Sequence, residues 1–106
     1  MAILLRKDKM TKEEIKNKIL AHREILDKYS VKSIALFGSY ARNEQEKGSD
    51  IDFLIEFKKP TFRNYVGLLS DFKRLFREKV DLVCKDALKQ RIRPYILKEA
   101  QWLKRA

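Results

Sequence analysis

An alternating pattern of side chains from Asp50 to Phe57 is the feature that most constrains the fold. Every second residue in this segment is large and apolar: Ile51, Phe53, Ile55 and Phe57. A period of two is that of a β-strand, whose successive side chains point to opposite faces of the sheet. Asp50 and Asp52 then share the face opposite the apolar one. The pattern therefore predicts a strand that packs one face in the core and carries two carboxylates at the start of the other.

Two other short segments have the composition of buried strands. Val31–Phe37 is rich in β-branched and aromatic residues, is too short for a helix, and ends at Gly38. Residues 79–84, with the sequence KVDLVC, form the other segment. Asp81 lies within it, at a position where a core strand would carry an apolar side chain. With residues 50–57, the sequence predicts three strands.

The segment before the first strand has the periodicity of an amphipathic helix. Thr11 and Glu14 have the spacing of a capping box, and apolar residues then recur at intervals of three and four. This pattern predicts one helix over residues 11–29. His22 falls on the apolar stripe of that helix, where a lone histidine is more often a packing residue than a ligand or a base.

Further helical elements follow the first strand. A short helical turn at residues 40–42 is expected after Ser39, and a short turn or helix is expected from Asp86. Pro94 opens a final helix. The longest helix, over residues 62–78, carries an apolar stripe that is expected to be core: Phe62, Val66, Leu69, Phe72 and Phe76. Two aromatic residues of the final helix belong to the core or, as the weaker alternative, to a partner-binding surface: Tyr95 and Trp102.

The order of elements predicts an α/β (α+β) domain with a small mixed three-stranded sheet flanked by helices. The 106 residues, 44% of them hydrophobic, correspond to a single domain over residues 1–106. Cys84 is the one cysteine, so no internal disulfide forms and a cytoplasmic location is expected. The apolar run near the N-terminus is too short for a membrane span, and no membrane association is expected. The formal net charge of +10 suits a polyanionic ligand, either a nucleotide or a nucleic acid.

Asp50, Asp52 and Asp81 are the candidate metal ligands. Residues i and i+2 of a strand lie about 6.6 Å apart and neighbouring strands about 4.8 Å apart, so the three carboxylates can converge. Two carboxylates about 4 Å apart repel by about 1 kcal/mol in water and by about 4 kcal/mol at an effective dielectric of about 20. A divalent cation removes that repulsion, and oxygen ligands favour Mg²⁺ or Mn²⁺, with two ions for three carboxylates. The alternative is structural: Asp50 caps the preceding loop, while Asp52 and Asp81 discourage pairing at a sheet edge.

A Gly-Ser pair lies upstream of these carboxylates, with ten residues between Ser39 and Asp50. Gly38 allows the backbone to approach a phosphate closely, and free N–H groups at a helix start attract anions. Ser39 adds its hydroxyl. Arg42, one helical turn later, is in reach of a phosphate or of an aspartate, and the sequence does not choose between them. The combination predicts a phosphate-bearing substrate beside the metal site.

The motif formed by Gly38-Ser39, Asp50-x-Asp52 and Asp81 resembles that of the minimal nucleotidyltransferase (MNT) family in the DNA polymerase beta-like superfamily, and the resemblance covers most of the chain. It implies that the Gly-Ser pair binds nucleotide phosphates, that the aspartates bind divalent metals, and that a nucleoside monophosphate is transferred to a hydroxyl. Asp81 would complete the acceptor-side metal and help to deprotonate the acceptor. Many members read GSxARG, whereas Asn43 stands here in place of the last glycine. Asparagine tolerates a left-handed backbone, so we expect the turn to be retained.

The resemblance also implies a biological setting. Stand-alone domains of this kind are similar to the antitoxins of HEPN/MNT toxin–antitoxin pairs, whose partner is a small helical ribonuclease toxin. Such antitoxins use ATP to adenylylate a tyrosine of the toxin. The implied function is therefore a Mg²⁺-dependent protein adenylyltransferase acting as an antitoxin. Two alternatives stay open: an antitoxin that acts by binding alone, and a nucleic-acid-binding protein that uses the basic charge, although no recognition motif accompanies that charge.

Overall fold

A mixed sheet of four strands forms the centre of the computed structural model, which describes residues 10–46 and 48–105. The strands are β1 (Val31–Phe37), β2 (Ile51–Phe57), β3 (Val80–Cys84) and β4 (Gln101–Lys104). Their order in the sheet is β3-β2-β1-β4. β1 pairs antiparallel with β2 and with β4, whereas β2 and β3 run parallel. The predicted fold class and the three predicted strands are confirmed, and the sheet has one strand more than expected.

The additional strand, β4, replaces the end of the predicted final helix. That helix, α4 (Arg93–Glu99), stops before Ala100, whose backbone is extended with φ −61° and ψ 132°. Trp102 then pairs with Ala35 of β1. The four residues of β4 are too few to show an alternating pattern in the sequence. The strand forms because it pairs with β1, which lies far away in the sequence. The prediction of a helix through Trp102 is therefore wrong.

The N-terminal helix is interrupted at His22, so the prediction of one helix over residues 11–29 is wrong at that residue. α1 (Lys12–Ala21) begins with the expected capping box, and α2 (Arg23–Lys28) follows after a residue with φ −127° and ψ 43°. The two helices bury Ile15, Ile19 and Leu26 in one apolar cluster, which is why the sequence shows a continuous stripe across the break. The imidazole of His22 is partly exposed and lies 3.3 Å from the carboxylate of Glu24, so it is not the packing residue expected.

α3 (Phe62–Phe76) buries a face that only partly overlaps the predicted stripe. Phe72 and Phe76 pack against Phe53 of β2, with ring centroids 5.1 and 5.6 Å apart. Phe62 is 82% exposed and Val66 is 43% exposed, so their assignment to the core is wrong. Phe62 precedes the buried Leu68 by six residues, which at about 3.6 residues per turn points it about 120° away.

The shorter elements follow the prediction with small shifts. The expected turn from Asp86 is a 3₁₀ helix over Lys85–Ala87, and Pro94 is the second residue of α4. Tyr95 on α4 is 74% exposed, so the expectation that it is core is wrong.

None of the described helices has the length and the apolar composition needed to cross a membrane.

Candidate active site

Asp52 and Asp81 are direct neighbours across the parallel strands β2 and β3. Each is the second residue of its strand, and each is flanked by buried apolar residues that face the core. Because side chains alternate along a strand, both carboxylates leave the sheet on the face opposite those apolar neighbours. Phe37, the last residue of β1, pairs with Asp52 on its other side. The end of β1 and the beginnings of β2 and β3 therefore meet at one edge of the sheet.

Asp50 lies just before β2 and is exposed, whereas Asp52 is half-buried. The negative charge of Asp50 reaches Asp52, as does that of Asp81. The structure thus brings the three carboxylates singled out in the sequence to the same end of the sheet. Their roles as ligands stay a prediction.

The carboxyl group of Asp52 has a strongly perturbed pKa. Burial, which is the largest cause, and the negative charges of Asp81 and Asp50 together raise this pKa to about 6. The positive charge of Arg42 acts in the opposite direction, and Glu99 adds to the rise. A carboxyl held between several like charges is costly to ionise, and a cation bound beside it would remove that cost.

Gly38 makes the closest backbone approach to this carboxylate. Its φ is +78°, a left-handed conformation that side chains other than glycine rarely adopt. A Cβ atom at this position would overlap Oδ2 of Asp52. The sequence identified Gly38 for an approach to phosphate, and the structure adds that the glycine also makes room for Asp52.

Residues 38–44 form a tight turn that contains a single hydrogen-bonded helical turn, where the sequence predicts one at residues 40–42. The N–H of Arg42 donates to the carbonyl of Gly38 at 3.2 Å, and the N–H of Glu44 donates to the carbonyl of Ser39 at 2.8 Å. Asn43 has φ 57°, so the left-handed conformation expected for it is confirmed. A left-handed residue directly after Arg42 ends the helical path, which limits the predicted helix to one hydrogen-bonded turn.

Arg42 hydrogen-bonds to two glutamates. Its Nε donates to Oε1 of Glu44 at 2.7 Å, and its Nη1 donates to the two carboxylate oxygens of Glu99 at 3.2 and 3.0 Å. Oε1 of Glu99 also accepts the backbone N–H of Gly38 at 3.2 Å. Sequence reasoning missed Glu99, because it lies 57 residues after Arg42 and belongs to no short motif.

A cleft of about 540 Å³ opens beside Asp52 and Asp81. Its apolar wall comes from β3, from the segment between the 3₁₀ helix and α4, and from α4 itself: Val83, Leu88, Ile92 and Ile96. Two basic residues, Lys89 and Arg91, also line it. The cleft therefore offers an apolar surface and positive charge directly next to the carboxylate pair.

The donor chemistry of this site fits a hard divalent cation, but the ligands are not gathered in advance. Within residues 10–46 and 48–105, no three acidic, histidine or cysteine side chains form a ready metal-binding cluster. Asp52 and Asp81 nevertheless supply adjacent oxygen donors, and their like charges raise the pKa of Asp52. Oxygen ligands without nitrogen or sulfur are those preferred by Mg²⁺ and Mn²⁺.

Residues 18–103 match the profile of the nucleotidyltransferase domain. The chain belongs to this family. Two curated relatives extend the match over nearly the full length of each protein. A provisionally named protein adenylyltransferase of Methanocaldococcus jannaschii is 44% identical over 95 residues, which cover 86% of this chain and 92% of the relative. The protein adenylyltransferase MntA of Thermococcus cleftensis is 34% identical over 96 residues, which cover 89% of this chain and 97% of the relative.

Solved structures with the same fold confirm the predicted nucleotidyltransferase architecture. A structure provisionally described as a minimal nucleotidyltransferase superposes with a TM-score of 0.75 at 28% identity, over 86% of this chain and 94% of that one. A complex described as a tri-AMPylated HEPN toxin of Shewanella oneidensis with an MNT antitoxin gives a TM-score of 0.61 at 20% identity, over 86% of this chain and 70% of that one. At that identity the second likeness concerns the fold alone.

Proposed function

We propose that this nucleotidyltransferase transfers AMP from ATP to a hydroxyl group of a protein, and that it acts as an antitoxin toward a HEPN-type toxin. The pairing of Asp52 with Asp81, beside the turn that begins at Gly38, is the observation that carries the proposal. A carboxylate pair next to backbone N–H groups and a guanidinium suits a metal-bound phosphate. The names of the relatives and of the structural neighbours support a protein acceptor and a toxin partner.

Asp50, Asp52 and Asp81 would hold divalent cations, two Mg²⁺ ions or Mn²⁺ in their place. Asp52 and Asp81 supply the adjacent pair of ligands, and the exposed side chain of Asp50 completes the set when it turns toward them. Ions held by these residues would stabilise the negative charge on the attacking and leaving oxygens of a displacement at phosphorus.

Gly38, Ser39 and Arg42 bind the phosphates of ATP through a backbone N–H, a hydroxyl and a guanidinium. The acceptor oxygen forms a bond to the α-phosphorus, while the bond from that phosphorus to the oxygen that bridges to the β-phosphate breaks. Pyrophosphate leaves with that oxygen. Asp81, which lines the cleft, takes the proton of the acceptor hydroxyl.

The cleft beside Asp81 receives the acceptor, which we take to be a tyrosine. Leu88, Ile92 and Ile96 provide an apolar wall for the aromatic ring. Lys89 and Arg91 attract acidic residues near the acceptor, and the net charge of +10 favours association with an acidic partner.

Transfer of label from α-labelled ATP to a purified HEPN-type toxin, in the presence of Mg²⁺, tests this function. We expect label and a mass increase of one AMP on a toxin tyrosine, and neither with Asp52→Asn. Asp86→Asn, which removes the same charge from the exposed 3₁₀ helix, serves as the matched control and should retain transfer. If Asp52→Asn silences the toxin as well as the wild type does, and the toxin carries no modification, neutralisation by binding alone is the correct function.

A further inference from the structure

Glu99 occupies the donors of the proposed phosphate site. Its carboxylate accepts the N–H of Gly38 at 3.2 Å and the guanidinium of Arg42 at 3.2 and 3.0 Å. The side chain is 29% exposed, so solvent and a bound ligand can reach it. One anion of the chain itself therefore engages both a backbone N–H and an arginine of the phosphate-binding turn.

These two donors form the set that proteins use to bind phosphate. A backbone N–H at a turn points at an anion without any side chain in between, and a guanidinium binds two anionic oxygens at once. The two oxygens of a carboxylate can accept from these donors in the same way as two oxygens of a phosphate. Glu99 and a nucleotide phosphate consequently cannot both bind Gly38 and Arg42 with full occupancy.

We propose that Glu99 is a built-in competitor for the nucleotide phosphate, which must displace it from Gly38 and Arg42. This inference rests on the proposed role of those two residues in binding ATP. In the absence of ATP, Glu99 satisfies both donors and connects the turn to the end of α4. Displacement removes a contact between the turn and the last residue of α4.

Displacement of Glu99 also affects the acceptor side. α4 contributes Ile96 to the wall of the cleft beside Asp81, and the residue that precedes α4, Ile92, lines the same wall. The bonds from Glu99 to Gly38 and Arg42 connect the end of α4 to the phosphate turn. Displacement of Glu99 therefore releases from the phosphate turn the same helix that forms part of the cleft wall.

Titration calorimetry with ATP and with inorganic pyrophosphate, each with Mg²⁺, tests the competition. Glu99→Gln keeps the shape of the side chain and removes its charge, so we expect about tenfold tighter binding of both ligands. Glu44→Gln is the matched control, because Glu44 bonds to Arg42 whereas the N–H of Gly38 donates to Glu99. We expect less than about a twofold change for it, because Glu44 does not compete for the N–H of Gly38. Both variants remove the same charge next to the same arginine, so a purely electrostatic effect would change both affinities alike.

The outcomes separate the competitor from other roles. Unchanged or weaker binding by Glu99→Gln, while the wild type binds ATP, overturns the inference and makes Glu99 a residue that positions Arg42. An equal gain in Glu44→Gln also overturns it, because the effect is then general electrostatics. Glu99→Ala, checked for folding by thermal unfolding, must show the same gain as Glu99→Gln. If neither the wild type nor any of the variants binds ATP or pyrophosphate, the proposed function itself is wrong.

Discussion

The carboxylate of Asp52 occupies the space in which a side chain at position 38 would begin. A Cβ atom on Gly38 would overlap Oδ2 of Asp52, with Cγ only 3.1 Å away and Cβ 3.3 Å away. Oδ2, Cγ and Cβ all belong to Asp52, which is half-buried and pairs with both neighbouring strands, so these atoms have little freedom to move. Gly38 and Asp52 consequently constrain each other, although thirteen residues separate them in the sequence.

Gly38→Ala is expected to destabilise the protein far more than Gly48→Ala. Both glycines have a positive φ, +78° and +90°, but a Cβ at Gly48 would meet no atom within 4 Å. Gly48→Ala therefore costs only the backbone strain, about 1 kcal/mol. Gly38→Ala adds the collision with Asp52, for a total of about 2–4 kcal/mol. Urea unfolding of the two variants measures the difference.

A double-mutant cycle tests the cause of that difference. In an Asp52→Ala background the overlap with Oδ2 and Cγ is gone and only the contact with Cβ at 3.3 Å remains. Gly38→Ala should then cost clearly less than in the wild type and approach the cost of Gly48→Ala, about 1 kcal/mol. If Gly38→Ala costs the same with and without the carboxylate, the contact between the two residues does not limit position 38.

The raised pKa of Asp52, about 6, predicts a pH-dependent stability without metal. The folded state holds this proton more tightly than the unfolded chain, whose aspartates have a pKa of about 3.9, so ionisation of Asp52 opposes folding. The stabilising contribution is present below about pH 4 and is lost as the pH rises through about 6. In chelator-treated buffer, Asp52→Asn should be about 1 kcal/mol more stable than the wild type above about pH 6, after allowance for solvent screening, and equally stable near pH 4.

Thermal unfolding across this pH range provides the measurement, with Asp86→Asn as the charge control. That residue is exposed on the 3₁₀ helix, so its substitution should shift stability by a small amount that does not change near about pH 6. A lower stability of Asp52→Asn at neutral pH would support the structural role for Asp52 that the sequence left open.

Mg²⁺ is expected to stabilise the wild type and not Asp52→Asn. A ligand at about 100 times its dissociation constant stabilises the folded state by about 2.7 kcal/mol, provided that it does not bind the unfolded chain. The shift in unfolding midpoint between chelator and Mg²⁺, repeated with Mn²⁺, measures the effect. Equal shifts in the two proteins would locate the cation away from Asp52.

Ser39 and Asp81 should affect different steps of the reaction. Ser39→Ala removes one hydrogen bond to phosphate and should weaken ATP binding by about 1 kcal/mol, or about fivefold. Ser70→Ala, on the exposed side of α3, is the control and should leave ATP affinity unchanged. Asp81→Asn should lower the rate of transfer by about 100-fold while changing ATP affinity by less than about threefold. A larger loss of affinity than of rate in Asp81→Asn would assign Asp81 to nucleotide binding.

Local patterns in the sequence were sufficient for the part of the fold that carries the site. The alternation of β2 and the glycine that ends β1 depend on neighbouring residues, so the positions of Asp50, Asp52 and Gly38 follow from short segments. Asn43 could likewise be assigned a left-handed backbone from its residue type alone.

Features that depend on distant contacts were not predictable in this way. β4 is a strand because Trp102 pairs with Ala35, and Glu99 enters the site because α4 ends next to Arg42. The break at His22 is hidden, since both helices bury apolar residues in the same cluster. The helical period of α3 fits more than one stripe, and only packing against Phe53 selects the face that is buried.

β3 lies at one margin of the sheet within the described part of the chain, so Asp81 has a neighbouring strand on one side only. On the proposed function, a reaction centre at this sheet margin is open to a folded macromolecule, which can present a protruding residue without being threaded through a channel. The enzyme would then select its acceptor through shape complementarity between two docked proteins rather than through an enclosed substrate pocket. A change of acceptor would then require substitutions on the docking surface of the protein, whereas Asp52, Asp81 and the turn at Gly38 could remain unchanged.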